Sequence, residues 1–104
     1  MQVIFLNPHL QELYISGKSK KYKSITGNIL KKYFTAIAHF ESAHVITDLW
    51  NAPSLKFEKL QGYEKRYSVR LDRKWRLEVE IEWENEEKTI GIIGIDEISN
   101  HYGG

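Results

Sequence analysis

The chain has 104 residues, of which 41% are hydrophobic and 12% aromatic, so it is long enough for one folded domain and is not intrinsically disordered. It contains no cysteine, which excludes disulfide bonds and thiolate metal sites. The formal net charge of +1 argues against a protein that coats nucleic acid, because such proteins are usually strongly basic. No apolar run approaches a membrane span and the start lacks the features of a secretory signal, so we expect a cytoplasmic protein.

The sequence begins with patterns typical of a short strand and a helix. Residues 2–6 are mostly apolar, as in an edge strand. Pro8 is tolerated in the first turn of a helix, and apolar residues recur at helical spacing over 9–14. The basic stretch GKSKKYK, residues 17–23, then ends the helix and forms a loop.

A longer second helix has the strongest pattern in the chain. Thr26 or Asn28 is suited to cap its start. An apolar stripe at helical spacing predicts its buried side. The stripe consists of Leu30, Tyr33, Phe34, Ile37 and Phe40. The pattern ends around His44, and a short apolar helical turn follows before Pro53.

The second half of the chain predicts β-strands. Residues 56–60 form a short strand, and Gly62 lies in the turn that follows. Residues 66–71 and 75–83 alternate strictly between apolar and polar side chains, which indicates an antiparallel hairpin with one solvated face. Residues 89–96 are apolar on both faces, as in a strand inside the sheet. The order predicts an α+β fold, with two N-terminal helices packed on a twisted antiparallel sheet of about four to five strands.

Charge is unevenly distributed along the chain. Residues 18–32 contain six lysines and no acidic residue, and residues 53–76 contain eight basic and three acidic residues. Residues 78–97, in contrast, contain one lysine and eight acidic residues. Basic segments beside an acidic one can attract an anionic ligand to one side of the molecule. The alternative is that each charged run is a solvated surface.

Two arginines on the polar side of the predicted hairpin are the first candidates for a functional site. Arg70 and Arg76 become neighbours if the chain turns at residues 72–74, and like charges held close are unfavourable unless an anion lies near them. A guanidinium can bind two phosphate oxygens at once. The pair therefore indicates a phosphate site, and the alternative for Arg76 is a surface ion pair with Glu78 or Glu80.

The end of the chain adds groups that can transfer protons. His101 follows the last predicted strand and titrates near neutral pH, although chain ends often fray. Tyr102 can donate a proton or stack on a base, or it can cover the edge of the sheet. The histidines at positions 9, 39 and 44 have no convincing metal-ligand spacing, so we expect no metal and no cofactor.

Several short motifs occur in a fixed order and are more specific together than alone. They are Leu13-Tyr14 before a Gly-Lys loop, Asp48-Leu49-Trp50, Phe57-Glu58-Lys59-Leu60 with a Gly62 turn, Tyr67-Ser68-Val69-Arg70, Trp75-Arg76-Leu77, and Ser99-Asn100-His101-Tyr102. This set resembles the RelE/ParE toxin superfamily, and within it the HigB-type (host inhibition of growth) toxins of type II toxin–antitoxin systems. HigB-type toxins commonly end in an acidic-Tyr-His run, from which the order Asn-His-Tyr departs.

The resemblance implies a RelE-like fold that binds RNA on the concave side of its sheet. It implies an endoribonuclease that cuts mRNA in the ribosomal A site without a metal or cofactor. In that reaction the ribose 2′-OH attacks the neighbouring phosphate, which requires a base, an acid and cations that stabilise the developing charge. The implied partners are the ribosome, its mRNA and a cognate HigA-like helix-turn-helix antitoxin, in a higher-order toxin–antitoxin assembly.

The resemblance also assigns roles to residues of this chain. Arg76 matches the arginine after a tryptophan, and His101 and Tyr102 occupy the place of the C-terminal His/Tyr residues. Lys59 is the fourth catalytic candidate: it lies where related toxins have a basic residue and could neutralise a phosphate, or it could be a solvated lysine. Which of His101 and Tyr102 transfers protons stays open. The residues expected to bind RNA phosphates are Arg70, Arg73, Lys74, Lys18, Lys20, Lys21 and Lys23, although the loop lysines can equally form a solubilising surface.

Two other functions stay open from the sequence. A ParE-like toxin would share the fold but inhibit DNA gyrase by binding, and a relative without activity would be a binding module. Arg76 and the His101-Tyr102 end favour the nuclease, because an inhibitor that acts by binding needs no proton-transfer group.

Overall fold

The computed structural model describes residues 1–100, which form an α+β fold with helices on one face of a five-stranded sheet. In chain order the elements are β1 (Val3–Phe5), α1 (Pro8–Ser16), α2 (Gly27–Ser42), α3 (Ile46–Trp50), a 3₁₀ helix (Pro53–Leu55), β2 (Glu58–Lys59), β3 (Arg66–Arg70), β4 (Trp75–Trp83) and β5 (Gly91–Asn100). The predicted fold class is confirmed. Within residues 1–100, no helix has the length and apolar content needed to cross a membrane.

The strands lie in the order β1-β5-β4-β3-β2. The pairs from β5 to β2 are antiparallel, whereas β1 is parallel to β5, so the sheet is mixed rather than purely antiparallel as predicted. The parallel pair is possible because the helices and three strands separate β1 from β5 in the chain, so no tight hairpin fixes their direction. β1 lies at the edge, as its sequence predicts.

The core lies between the helices and one face of the sheet, which we call the inner face. Tyr33 and Phe40 of α2 are fully buried in this core, and the Tyr33 hydroxyl donates to the Leu10 carbonyl oxygen at 2.7 Å. The buried inner-face residues of the three central strands are Tyr67, Val69, Leu77, Val79, Ile81, Ile93, Ile95 and Ile98. The predicted stripe of α2 is confirmed, and the opposite, outer face of the sheet carries the charged residues.

Local chemistry sets the ends of α1 and the start of α2. Asn7 caps α1, since its Oδ1 accepts the His9 N–H at 2.9 Å, and Pro8 occupies the first turn. Gly17 ends the helix with φ of 76°, a left-handed conformation that favours glycine. Thr26 is the N-cap of α2, although its side chain forms no capping hydrogen bond.

The β3–β4 hairpin fixes the position of the arginine pair. Arg70 lies directly opposite Arg76, so their predicted adjacency is confirmed. The turn between them is stabilised by Asp72, whose Oδ1 accepts the N–H groups of Lys74 at 2.8 Å and Trp75 at 2.7 Å. These bonds hold both arginines at the same end of the hairpin.

Two strands differ in length from their predictions. β2 has two residues rather than five, because Lys56 adopts a left-handed φ of 49° that interrupts an extended run. β5 continues to Asn100 instead of ending at residue 96. Its pairing shifts between Glu78 and Val79 of β4, which leaves Asp96 as the extra residue of a β-bulge.

Candidate functional site

Arg76 on the outer face is held in one position by two neighbouring strands. Its guanidinium reaches from β4 across β3 to β2, where Nη1 donates to Ser68 Oγ at 3.1 Å and pairs with Glu58 Oε1 at 2.9 Å. The residue is 6% exposed, so the prediction that it lies on a solvated surface was wrong. Its Nε is buried and has no hydrogen-bond partner within residues 1–100. The Nε–H donor of this guanidinium is therefore unused.

Glu58 is the member of this site that the sequence analysis did not single out. It lies opposite Ser68, so its carboxylate is on the outer face, and its side chain is 48% exposed. The alternative that Arg76 forms a surface ion pair with Glu78 or Glu80 is wrong, because both carboxylates pair with Arg66 instead. Glu58 reaches Arg76 only because β2 joins the sheet beside β3, which local sequence patterns do not reveal.

Arg70 adds a second positive charge beside Arg76. It is exposed, and its side chain forms no hydrogen bond or ion pair with the other described residues. The carboxylate of Glu58 compensates the charge of Arg76, which is how the fold keeps two like charges on adjacent strands. Arg70 is therefore free to bind an anion from solution.

The turn and β2 place the other predicted basic residues differently. Arg73 and Lys74 are exposed in the β3–β4 turn, at the same end of the hairpin as Arg70. Lys59 lies opposite Tyr67, an inner-face residue, and neighbouring residues of a strand point to opposite faces. The structure thus brings Arg73 and Lys74 towards the Arg76 end of the outer face but directs Lys59 away from it.

The basic loop is anchored next to this end of the sheet. Its four lysines, Lys18, Lys20, Lys21 and Lys23, are all exposed, whereas Tyr22 between them is buried. The Tyr22 hydroxyl donates to Glu97 Oε1 at 2.6 Å and accepts the Asn7 amide at 2.9 Å. Burial, and then the Glu97 carboxylate, raise the pKa of Tyr22, so the phenol stays protonated as a donor. Glu97 is two residues from Ser99, the β5 partner of Arg76.

His101 and Tyr102, the predicted proton-transfer residues, lie outside the described residues. The last described residue, Asn100, pairs with Trp75, which precedes Arg76 in β4. The roles predicted for His101 and Tyr102 therefore stay predictions.

A second charged cluster on the outer face surrounds Arg66. Its guanidinium pairs with Asp96 at 2.7 Å, Glu78 at 2.9 Å and Glu80 at 3.6 Å. Burial lowers the pKa of Arg66, but the hydrogen bonds to Glu78 and Asp96 outweigh it and raise the value. These carboxylates converge on a guanidinium, and within residues 1–100 no group of three or more acidic, histidine or cysteine side chains could hold a metal ion.

Comparison with known proteins identifies the fold. No protein-family profile matches the chain, and no curated protein sequence matches it significantly. Among solved structures, the chain is similar to a YoeB/ParE toxin from Agrobacterium tumefaciens, with a TM-score of 0.57 and 12% sequence identity. The match covers 98% of this chain and 100% of the toxin. A likeness at this identity shows the fold alone: the chain has a fold similar to that of this YoeB/ParE toxin.

Proposed function

We propose that the protein is a HigB-type toxin of a type II toxin–antitoxin system, which cleaves mRNA on the ribosome at the site around Arg76. One observation carries this proposal: a buried, positioned guanidinium lies between a half-exposed carboxylate and a second, exposed arginine. Cleavage of RNA without a metal needs positive charge at the phosphate and a base beside it. The outer face combines both.

Arg76 and Arg70 bind the scissile phosphate in this proposal. Arg76 is oriented by Ser68 and Glu58 before the substrate arrives, so little reorganisation is needed when negative charge develops on the phosphorane. Arg70 has no competing side-chain partner within residues 1–100 and adds a second cation. Loss of one such preorganised donor typically reduces the rate by about 100-fold to 1,000-fold.

Glu58 serves as the base. Its half-exposed carboxylate accepts the proton of the 2′-OH while the 2′-oxygen bonds to phosphorus. The bond from phosphorus to the 5′-oxygen then breaks, and that oxygen takes a proton from His101 or Tyr102. The products are a 2′,3′-cyclic phosphate and a 5′-hydroxyl end. No cofactor enters the reaction.

The exposed basic residues at this end of the molecule bind the backbone of mRNA and ribosomal RNA. Arg73 and Lys74 extend the site along the turn, and the lysines of the anchored loop extend it beyond β5. Each phosphate neutralised by a lysine or arginine releases counterions, so binding should weaken steeply with salt. When the toxin is not active, a HigA-like helix-turn-helix antitoxin binds it in an inactive, higher-order complex in the cytoplasm.

The test is inducible expression of wild type beside Arg76→Lys, Glu58→Gln and His101→Ala, with growth curves and mapping of mRNA 5′ ends. We expect wild type to arrest growth and to produce 5′-hydroxyl ends, and each variant to lose cleavage by about 100-fold. Arg76→Lys keeps the charge but loses the forked donor. Lys88→Ala, a lysine from the acidic part of the chain, is the control and should cleave normally.

Three results would reject or redirect the proposal. Growth arrest with intact mRNA and altered plasmid supercoiling would assign a gyrase-inhibiting, ParE-like function. Normal growth during strong expression of soluble wild-type protein would indicate a binding module without activity. Full cleavage by soluble Glu58→Gln would remove Glu58 from the mechanism, and thermal unfolding of each variant establishes that it is folded.

A further inference from the structure

A groove on the outer face lies beside β1, at the opposite end of β4 from Arg76. It has a volume of about 240 Å³. Its walls and rim are formed by Ile4, Leu6, Glu80, Glu82, Ile92 and Gly94. Glu80 lies four positions after Arg76 in β4, roughly 13 Å along the strand. The groove and the Arg76 site are therefore separate surfaces of one face.

The apolar part of the groove depends on a glycine. A Cβ atom at Gly94 would lie 2.5 Å from Leu6 Cδ1, so the absence of a side chain lets Leu6 fold across β5. Leu6 is nevertheless 47% exposed and its neighbour Ile4 is 40% exposed. The fold thus presents two large aliphatic side chains to solvent at one place, beside the partly buried Ile92.

The rim of the groove is negatively charged. The side chains of Glu80 and Glu82 are 47% and 66% exposed. Lys65 pairs with Glu82 at 3.0 Å, but Arg66 lies 3.6 Å from Glu80 because its shorter ion pairs are with other carboxylates. Four carboxylates in this region share two cations. The excess negative charge disfavours RNA and favours a basic ligand.

We propose that this groove binds a basic segment of the antitoxin protein. An aliphatic side chain of that segment enters between Ile4, Leu6 and Ile92, and lysine or arginine residues beside it pair with Glu80 and Glu82. Burial of the apolar side chain supplies affinity, and the carboxylates select a basic sequence. The inference rests on the proposed function for the identity of the partner, whereas the chemistry of the segment follows from the groove.

The test is selection of peptides from a random display library on the purified wild-type protein. We expect the enriched peptides to combine an aliphatic residue with lysine or arginine. Their affinity should fall at least tenfold in Leu6→Ser and in Glu82→Lys, and it should weaken as salt is added. Ile15→Ser is the matched control, because Ile15 is a 74% exposed aliphatic residue on α1 outside the groove. That variant should bind like wild type.

The other outcomes of this experiment would contradict the proposal that the groove binds a basic segment. A failure to enrich any peptide, or peptides that are acidic or bind Leu6→Ser as tightly as wild type, would overturn the proposal. Self-association of the wild type in sedimentation equilibrium that Leu6→Ser abolishes would assign the groove to a second copy of the chain and also overturn it.

Growth arrest separates this inference from the proposed function. Leu6→Ser should still arrest growth, since the groove lies apart from Arg76. If the wild type does not arrest growth but binds basic peptides through the groove, the toxin function fails while the binding site stands. If growth arrest is normal and no peptide binds, the proposed binding site fails while the toxin function stands.

Discussion

Replacement of Arg66 by leucine should markedly destabilise the protein. Arg66 is 15% exposed and is surrounded by Glu78, Asp96 and Glu80. Arg66→Leu removes the cation that these carboxylates share and leaves them close together. Their mutual repulsion and lost hydrogen bonds both favour the unfolded chain.

The expected loss follows from the two short contacts, at 2.7 and 2.9 Å. A hydrogen bond to a charged group contributes about 1.5–3 kcal/mol when it is largely screened from water. Water regains part of this in the variant, because the side chains of Glu78 and Asp96 are 21% and 33% exposed. We therefore expect a net loss of about 2–3 kcal/mol. For a domain of this size that corresponds to a fall in Tm of roughly 10–20 °C.

Urea denaturation at neutral pH measures the loss, and the adjacent residue supplies a control. Lys65 pairs with Glu82, but these side chains are 43% and 66% exposed, so Lys65→Leu should destabilise the protein far less than Arg66→Leu. The deficit of Arg66→Leu should shrink in acid, where protonated carboxyls no longer repel one another. Equal losses for the two variants at neutral pH would refute the argument that the Arg66 cluster stabilises the fold.

Two further predictions concern the sheet and the basic loop. A Cβ at Gly91 would lie 2.8 Å from a backbone carbonyl oxygen that cannot rotate away, so Gly91→Ala should cost about 2–3 kcal/mol in urea denaturation. Gly94→Ala should cost less, and Leu6→Ala should rescue it; no rescue would contradict the predicted clash. Burial and the Glu97 carboxylate raise the pKa of Tyr22, so the stability it contributes is complete below about pH 10 and is lost at higher pH. Tyr22→Phe should therefore flatten the fall in unfolding free energy above about pH 10, and an unchanged slope would show that this phenol does not titrate with folding.

The β3–β4 hairpin is the part of the site that the sequence predicts best. Its strict alternation indicates the buried face, and the short turn makes Arg70 and Arg76 neighbours, as the structure confirms. Alternation assigns a side chain to a face but does not say what covers it. Arg76 is buried on the outer face because its side chain lies over Ser68 and against Glu58, two strands away.

Interactions between distant segments were the harder part to predict. A loop, β3 and the β3–β4 turn separate Glu58 from Arg76 in the chain. β2 is too short for its sequence pattern to reveal its place in the sheet. The parallel pairing of β1 likewise depends on the whole fold. The anchoring of the loop by Tyr22 needed Glu97, which the sequence analysis placed beyond the end of the last strand. The sequence did contain a signal for the longer strand. Ile93 and Ile95 are two residues apart, and Ile98 continues this apolar series after the one extra residue of the bulge.

The bulge at Asp96 adds one residue to β5 without changing which side chains of the strand face the core. Ile95 and Ile98 are both on the inner face although an odd number of steps separates them, because the extra residue restores the alternation. Replacement of Asp96 would weaken one ion pair. Its deletion would remove the same ion pair but would leave Ile95 and Ile98 two steps apart, so both would stay on the inner face and residues 97–100 would keep their partners on β4. The extra residue is therefore not needed for the register of β5, and what it adds to the sheet is a carboxylate 2.7 Å from the Arg66 guanidinium.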